Sequence, residues 1–194
     1  MRVIGGSAKG RTLLTMDLPH LRPMLDRVRE NLFNIIRFDI QDAEVLDLFS
    51  GCGSLGIEAL SQGAASCVFV ESDSQLVSCI EENVERCELE ASAYVLKDDV
   101  FMLPGRPPPP GHSAAEIVLA DPPYECIDDP NRRTELFEAL EGMIGAMIAP
   151  GAMLMLHHAP MPHALWPTSR MECFDHRVYG NSQLSFFHIQ GAEE

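Results

Sequence analysis

The sequence predicts an α/β fold: a mostly parallel, seven-stranded sheet that ends in an antiparallel C-terminal pair and is preceded by an N-terminal β-hairpin extension. Three patterns lead to it. From residue 44 onward, short and nearly continuous apolar runs alternate with amphipathic stretches, as expected of parallel strands covered by helices on both faces. The last two β-type runs, 171–178 and 184–187, flank Tyr179-Gly180-Asn181-Ser182, a turn between strands that pair antiparallel. Residues 1–37 keep a different rhythm, with a glycine-rich turn and a basic amphipathic segment of their own.

In chain order, 2–4 and 11–14 read as two short strands around Gly5-Gly6-Ser7-Ala8-Lys9-Gly10, whose glycines favour a hairpin loop longer than two residues. A helix over 26–38 follows, with Asp26 as its candidate N-cap. Val28, Leu32, Ile35 and Ile36 form one apolar stripe on it, at i, i+4, i+7 and i+8. Arg27 and Arg37 fall away from that stripe. Further strands are expected at 45–49, 67–70, 93–96, 117–120 and 152–156, and helices at 54–62, 74–87 and 131–147. The proline-rich stretch 104–113 cannot continue a helix and reads as a polyproline-like surface connection.

At 194 residues, 46% hydrophobic and 22% charged, the chain has material for one core, which excludes wholesale disorder. No apolar run is long enough for a membrane span, and the N-terminus lacks the apolar segment of a signal peptide. The six cysteines form no C-x-x-C pair and no His-Cys cluster, so reduced thiols without a metal, in a cytoplasmic monomer, are expected. The net charge of -15 argues against a nucleic-acid partner until its distribution is read. Residues 1–37 carry a net +4 and residues 38–194 a net -19. That division suggests a basic arm at 1–37 carried on an acidic body at 38–194; charge alone leaves open whether the arm is RNA-facing or a solvated face.

Gly51-Cys52-Gly53-Ser54-Leu55-Gly56 follows the first strand of the body and opens a helix, where backbone can approach a ligand closely. Glu71 ends the next strand, where a carboxylate can accept hydrogen bonds from ribose hydroxyls. Together they indicate an adenosine-containing cofactor. Asp47 narrows the choice: a carboxylate four residues before the loop suits the amino group and sulfonium of S-adenosylmethionine rather than a pyrophosphate. Asp121-Pro122-Pro123-Tyr124 ends the fourth strand of the body. Its chemistry fits an exocyclic amine on a planar base, with Asp121 and the Pro122 carbonyl accepting the two N–H groups and Tyr124 stacking on the ring.

Nearly the whole chain resembles the bacterial RsmD-type methyltransferases. The likeness runs through Arg2-Val3-Ile4-Gly5-Gly6, Leu21-Arg22-Pro23, Asp26-Arg27-Val28-Arg29-Glu30, Asp47 to Leu60, Val70-Glu71-Ser72-Asp73, Asp121 to Tyr124 and Tyr179-Gly180. The resemblance implies a Rossmann-like class I methyltransferase that moves a methyl group from S-adenosylmethionine to the N2 amine of a guanine in small-subunit (16S) ribosomal RNA, naked or in the assembling subunit. It implies cofactor contacts at Asp47, Phe49, Gly51, Gly53, Glu71, Ser72 and Asp99, catalysis at Asp121, Pro122, Pro123 and Tyr124, and RNA contacts at Lys9, Arg11, Arg22, Arg27 and Arg29. The family pattern departs at Met24-Leu25, in the proline run and in the acidic body. Two other readings stay open: an adenine-N6 methyltransferase of DNA or RNA, and a non-catalytic RNA-binding module on the same fold. His157-His158 read as strand-end histidines, and Trp166 as a packing anchor.

Overall fold

The computed structural model describes residues 1–17, 24–162, 166 and 170–191. Among them, seven strands form one sheet: β1 (Glu44–Leu48), β2 (Ser66–Glu71), β3 (Ala93–Lys97), β4 (Ala115–Ala120), β5 (Ile148–His158), β6 (Met171–Tyr179) and β7 (Ser182–Ile189). Their order across the sheet is β3-β2-β1-β4-β5-β7-β6. The first five run parallel, while β7 pairs antiparallel with both β5 and β6. Five helices pack around it: α1 (Asp26–Ile35), α2 (Ser54–Ser61), α3 (Ser74–Cys87), α4 (Glu125–Asp128) and α5 (Pro130–Met143).

The central strands are buried on both faces, which is why they read as unbroken apolar runs. Alternate residues divide between two cores. Val45, Phe69, Ile117, Leu119 and Met155 face α1 and α2, whereas Leu46, Val68, Val118, Leu154 and Leu156 face α5. Gly56 permits the close approach of α2 to β2, since a Cβ there would lie 2.3 Å from the Phe69 ring. Helix α3 starts where Asp73 accepts hydrogen bonds from the Gln75 and Leu76 N–H groups, and α5 where Asp129 caps Asn131 and Arg132 ahead of Pro130. All six cysteines are free thiols, five of them buried. No described helix is long and apolar enough to cross a membrane.

Several expectations are corrected. The N-terminal hairpin is a narrow ladder with a bridge at Arg2 and Thr12 and cross-strand hydrogen bonds from the Val3 and Leu13 N–H groups to the Arg11 and Met1 carbonyls, and its turn is docked on α2. Glu58 accepts from the Ile4 and Gly5 N–H groups at 2.8 Å each, and Ser61 Oγ accepts from the Ala8 N–H at 2.9 Å. The segment before residue 37 packs into the core of the body: Val3, Ala8, Leu13, Val28, Leu32 and Ile36 belong to the same cluster as Ile57 and Phe69. Asp26 is the first residue of α1, not its cap, and it pairs with Arg29. Phe33 takes the buried place expected of Ile35, which is exposed. Helix α5 stops at Met143, short of 147, and the following turn lets β5 begin at Ile148.

Candidate active site

Strand order places the site. Helices α1 and α2 cover one face and α5 the other, so β1 and β4 are neighbours whose chains leave in opposite directions, the switch point where open α/β sheets bind ligands. The carboxyl ends of β1, β2, β3 and β4 carry Asp47, Glu71, Asp99 and Asp121 respectively.

Asp47 lies in β1 on the face beneath the first turn of α2 and is 1% exposed. Its Oδ2 accepts from the Gly56 N–H at 2.9 Å, while Oδ1 is buried without a partner. Burial, first of all, pushes its carboxyl up to about 8; the Gly56 hydrogen bond opposes this, and Asp121 and Glu71 add to it. After β1 the chain turns through Phe49 and Gly51, both at positive φ (58° and 57°), and through Gly53 at 79°, which is the N-cap of α2. Ser50 Oγ ties this turn to β2, donating to the Asp47 carbonyl at 2.7 Å and accepting from the Val70 N–H at 3.0 Å.

Glu71 shapes the loop from the other side. Its Oε2 accepts from the Gly51 N–H at 2.9 Å, and Oε1 from the Ser72 and Asp73 N–H groups at 2.8 and 3.0 Å. Glu71, Ser72, Phe49 and Asp99 all line one small cavity of about 30 Å³. Beyond Asp99 opens a groove of about 430 Å³ bordered by Phe101, Met102 and Arg132. Phe49 meets Phe101 edge-on at 6.1 Å, and the Arg132 guanidinium lies 4.9 Å from the Phe101 ring centre.

Asp121 follows β4 and is 22% exposed at its side chain. Pro122 is buried and Tyr124, half-buried, opens α4, with its carbonyl accepting from the Ile127 and Asp128 N–H groups. One partner of Asp121 was not anticipated: His157 Nδ1 lies 2.7 Å from Asp121 Oδ1. The alternating face pattern carries the signal for it, since His157 falls on the same face as Asp47 and Asp121.

The basic residues disperse. Lys9 and Arg27 are exposed. Arg11 pairs with Glu88 at 2.9 Å and donates to the Arg86 carbonyl at 2.5 Å. Arg29 is corrected: it is fully buried, its Nη2 donating to the Arg2 carbonyl at 2.6 Å and to Asp26 at 3.0 Å, so it holds the N-terminal strand and does not face a phosphate. Burial pulls its pKa down, against Glu58 and Asp26. Arg22, with its neighbours Leu21 and Pro23, lies outside the described residues.

The insertion of an antiparallel β7 between β5 and β6 distinguishes this sheet from the all-parallel dinucleotide-binding kind and makes it a Rossmann-like class I methyltransferase fold. The chain belongs to the family described as "Conserved hypothetical protein 95", the RsmD-type family, whose model matches residues 1–188. The Bacillus subtilis (strain 168) protein YlbH is 37% identical over 131 residues, 64% of this chain and 67% of that one. Ribosomal RNA small subunit methyltransferase D of Escherichia coli (strain K12) is 39% identical over 124 residues, 64% of this chain but only 60% of that enzyme. The solved structure of the Escherichia coli protein yhhF superposes with a TM-score of 0.79 at 27% identity, covering 99% of each chain.

Proposed function

We propose that this chain transfers a methyl group from S-adenosylmethionine to the exocyclic N2 amine of a guanine in small-subunit ribosomal RNA, as a cytoplasmic enzyme. The observation that carries the reading is the convergence, on one face at the switch point, of a buried carboxylate with an unpartnered oxygen (Asp47) and a half-exposed one (Asp121). The name of the Escherichia coli relative, which specifies small-subunit ribosomal RNA, supports the substrate class.

The residues present fit the cofactor. Asp47 Oδ1 lacks a partner, as a carboxylate awaiting an amino group would. Glu71 uses three backbone N–H groups to fix its orientation and keeps lone pairs for ribose hydroxyls. Asp99 lines both the small cavity beside Glu71 and the groove beside Phe101, and would accept from the adenine amine. When bound, the cofactor would supply an electrophilic methyl carbon: the S–C bond electrons would stay on sulfur as the C–N bond forms, and the proton then surplus on the amine would leave through the Asp121 carboxylate to solvent. Asp121 and the Pro122 carbonyl would hold the two amine N–H groups, turning the nitrogen lone pair out of conjugation with the base. Tyr124 would stack on the ring. Catalysis here is positioning and electrostatics.

Glu71→Ala should weaken S-adenosylmethionine binding by about 1.5–3 kcal/mol, the range for removing charge-assisted hydrogen bonds, in titration calorimetry. Unchanged affinity would remove Glu71 from the ribose. RNA would be held by the exposed basic side chains of the 1–37 segment. Because Arg11 is already paired to Glu88, the double variant Lys9→Ala, Arg27→Ala is the cleaner probe. It should bind ribosomal RNA more weakly at every salt concentration and flatten the log–log salt slope by somewhat less than one for each phosphate no longer neutralised. Identical salt titrations would leave these residues as a solvated surface.

The function itself is tested on ribosomal RNA from a strain lacking the gene. Treatment with the purified protein and the cofactor, then mass spectrometry of nucleosides, should give N2-methylguanosine. N6-methyladenosine would favour the adenine reading, and no product with RNA still bound would favour a non-catalytic module.

A further inference from the structure

Strand β5 ends on two adjacent histidines, and the alternation of a strand sends them to opposite faces of the sheet. His158 joins the α5 side, where its Nε2 lies 2.9 Å from Ser185 Oγ and its ring meets Trp166 edge-on at 4.9 Å. His157 takes the other face. Ala120 and Leu156 are register partners, so the next residues on these parallel strands, Asp121 and His157, stand side by side. The His157 side chain is 5% exposed against 22% for Asp121, which puts the imidazole behind the carboxylate as seen from the cleft. The 2.7 Å contact suits a hydrogen bond from the Nδ1–H tautomer of His157 to the Asp121 carboxylate oxygen, which accepts it. The other ring nitrogen, Nε2, is buried with no hydrogen-bond partner.

We propose that His157 is a positioning residue for methyl transfer: by donating from Nδ1 to Asp121 Oδ1 it fixes that carboxylate so that Oδ2 is the oxygen presented to the target amine. The inference rests on the methyltransferase reading above, with Asp121 as the acceptor. A carboxylate held through one oxygen has already lost the rotamer freedom that would otherwise be given up on each encounter with the base.

The test uses two substitutions at one position in the full chain. His157→Leu removes the donor and keeps apolar bulk, whereas the amide nitrogen of His157→Asn stands close to where Nδ1 was. The leucine variant should lose about 10–100-fold in kcat on ribosomal RNA, with KM for RNA and the calorimetric affinity for S-adenosylmethionine within about twofold of wild type. The asparagine variant should recover most of that loss. A second readout needs neither cofactor nor turnover: nitrogen-15 NMR of the free protein should show His157 as the Nδ1–H tautomer, with a signal that moves in Asp121→Asn. A folded leucine variant with wild-type kcat, or an Nε2–H tautomer, overturns the proposal. If the leucine variant does not fold, the asparagine variant decides: activity near wild type supports the clamp, and activity as low as that of Asp121→Ala overturns it. Wild-type protein that methylates no ribosomal RNA would overturn the functional reading, while the tautomer measurement would still judge the contact.

Discussion

Replacing Asp121 with alanine should lower the rate of methyl transfer by about 10²–10⁴-fold, the range for removing one positioned catalytic group, and leave the affinity for S-adenosylmethionine within about twofold. The asymmetry follows from where the residue stands. Asp121 is at the end of β4, outside the glycine loop and the Glu71 network that would hold the cofactor. The amine of guanine is a poor nucleophile because its lone pair is delocalised into the ring. An acceptor on one N–H rotates that lone pair toward the methyl carbon and stabilises the charge that follows. Alanine offers neither, and it strands the His157 N–H in a buried place. Tyr124→Ala should be milder, at about 1–3 kcal/mol for the missing stacking surface, and Tyr124→Phe milder again because the ring remains. Single-turnover methylation with labelled cofactor, beside calorimetry on the same preparations, separates the two effects. Wild-type turnover in Asp121→Ala would dismiss the positioning mechanism.

The parts of the fold that were legible in the sequence are those governed by local rules. A strand buried on both faces, such as β2, announces itself as an apolar run, and α3 is bounded by the capping residue Asp73 and a regular stripe from Leu76 to Cys87. The glycine loop, Glu71 and Asp121 stand out in the sequence because strand ends at a switch point gather the polar residues that an otherwise apolar sheet tolerates. What escaped was set by partners far along the chain. Arg29 reads as a surface base like Arg27, and nothing nearby in sequence reveals that the Arg2 carbonyl receives it inside the core. The hairpin turn is docked on Glu58 and Ser61, more than fifty residues on. His157 has its meaning from an aspartate 36 residues earlier on the neighbouring strand. Helix α4, four residues long, has too little length to carry a period.

Asp47 should make stability and cofactor affinity respond to pH in opposite directions. In the native protein burial holds its carboxyl up to about 8, against 3.8 for the ordinary side chain that the unfolded chain presents. Between those values the native state keeps a proton that the unfolded state has released. Its stabilising contribution is therefore complete below about pH 4 and is lost as pH rises through about 8, by on the order of 1.4 kcal/mol per pH unit inside that window. Asp47→Asn cannot ionise and lacks this slope. Urea unfolding at pH 5, 7 and 9 should show the wild type losing ground steadily to the variant as pH rises. The cofactor reverses the sign. A cationic amino group opposite the unpartnered Oδ1 favours the ionised carboxylate, so binding near pH 7 should expel a proton from Asp47 and tighten as pH approaches 8. Calorimetry in buffers of different ionisation enthalpy counts that proton directly. Asp47→Asn should bind S-adenosylmethionine more weakly and without the linked release. Equal proton release from variant and wild type would mean that the buried carboxylate faces no charged part of the cofactor, and that its only partner in the bound state is the Gly56 amide.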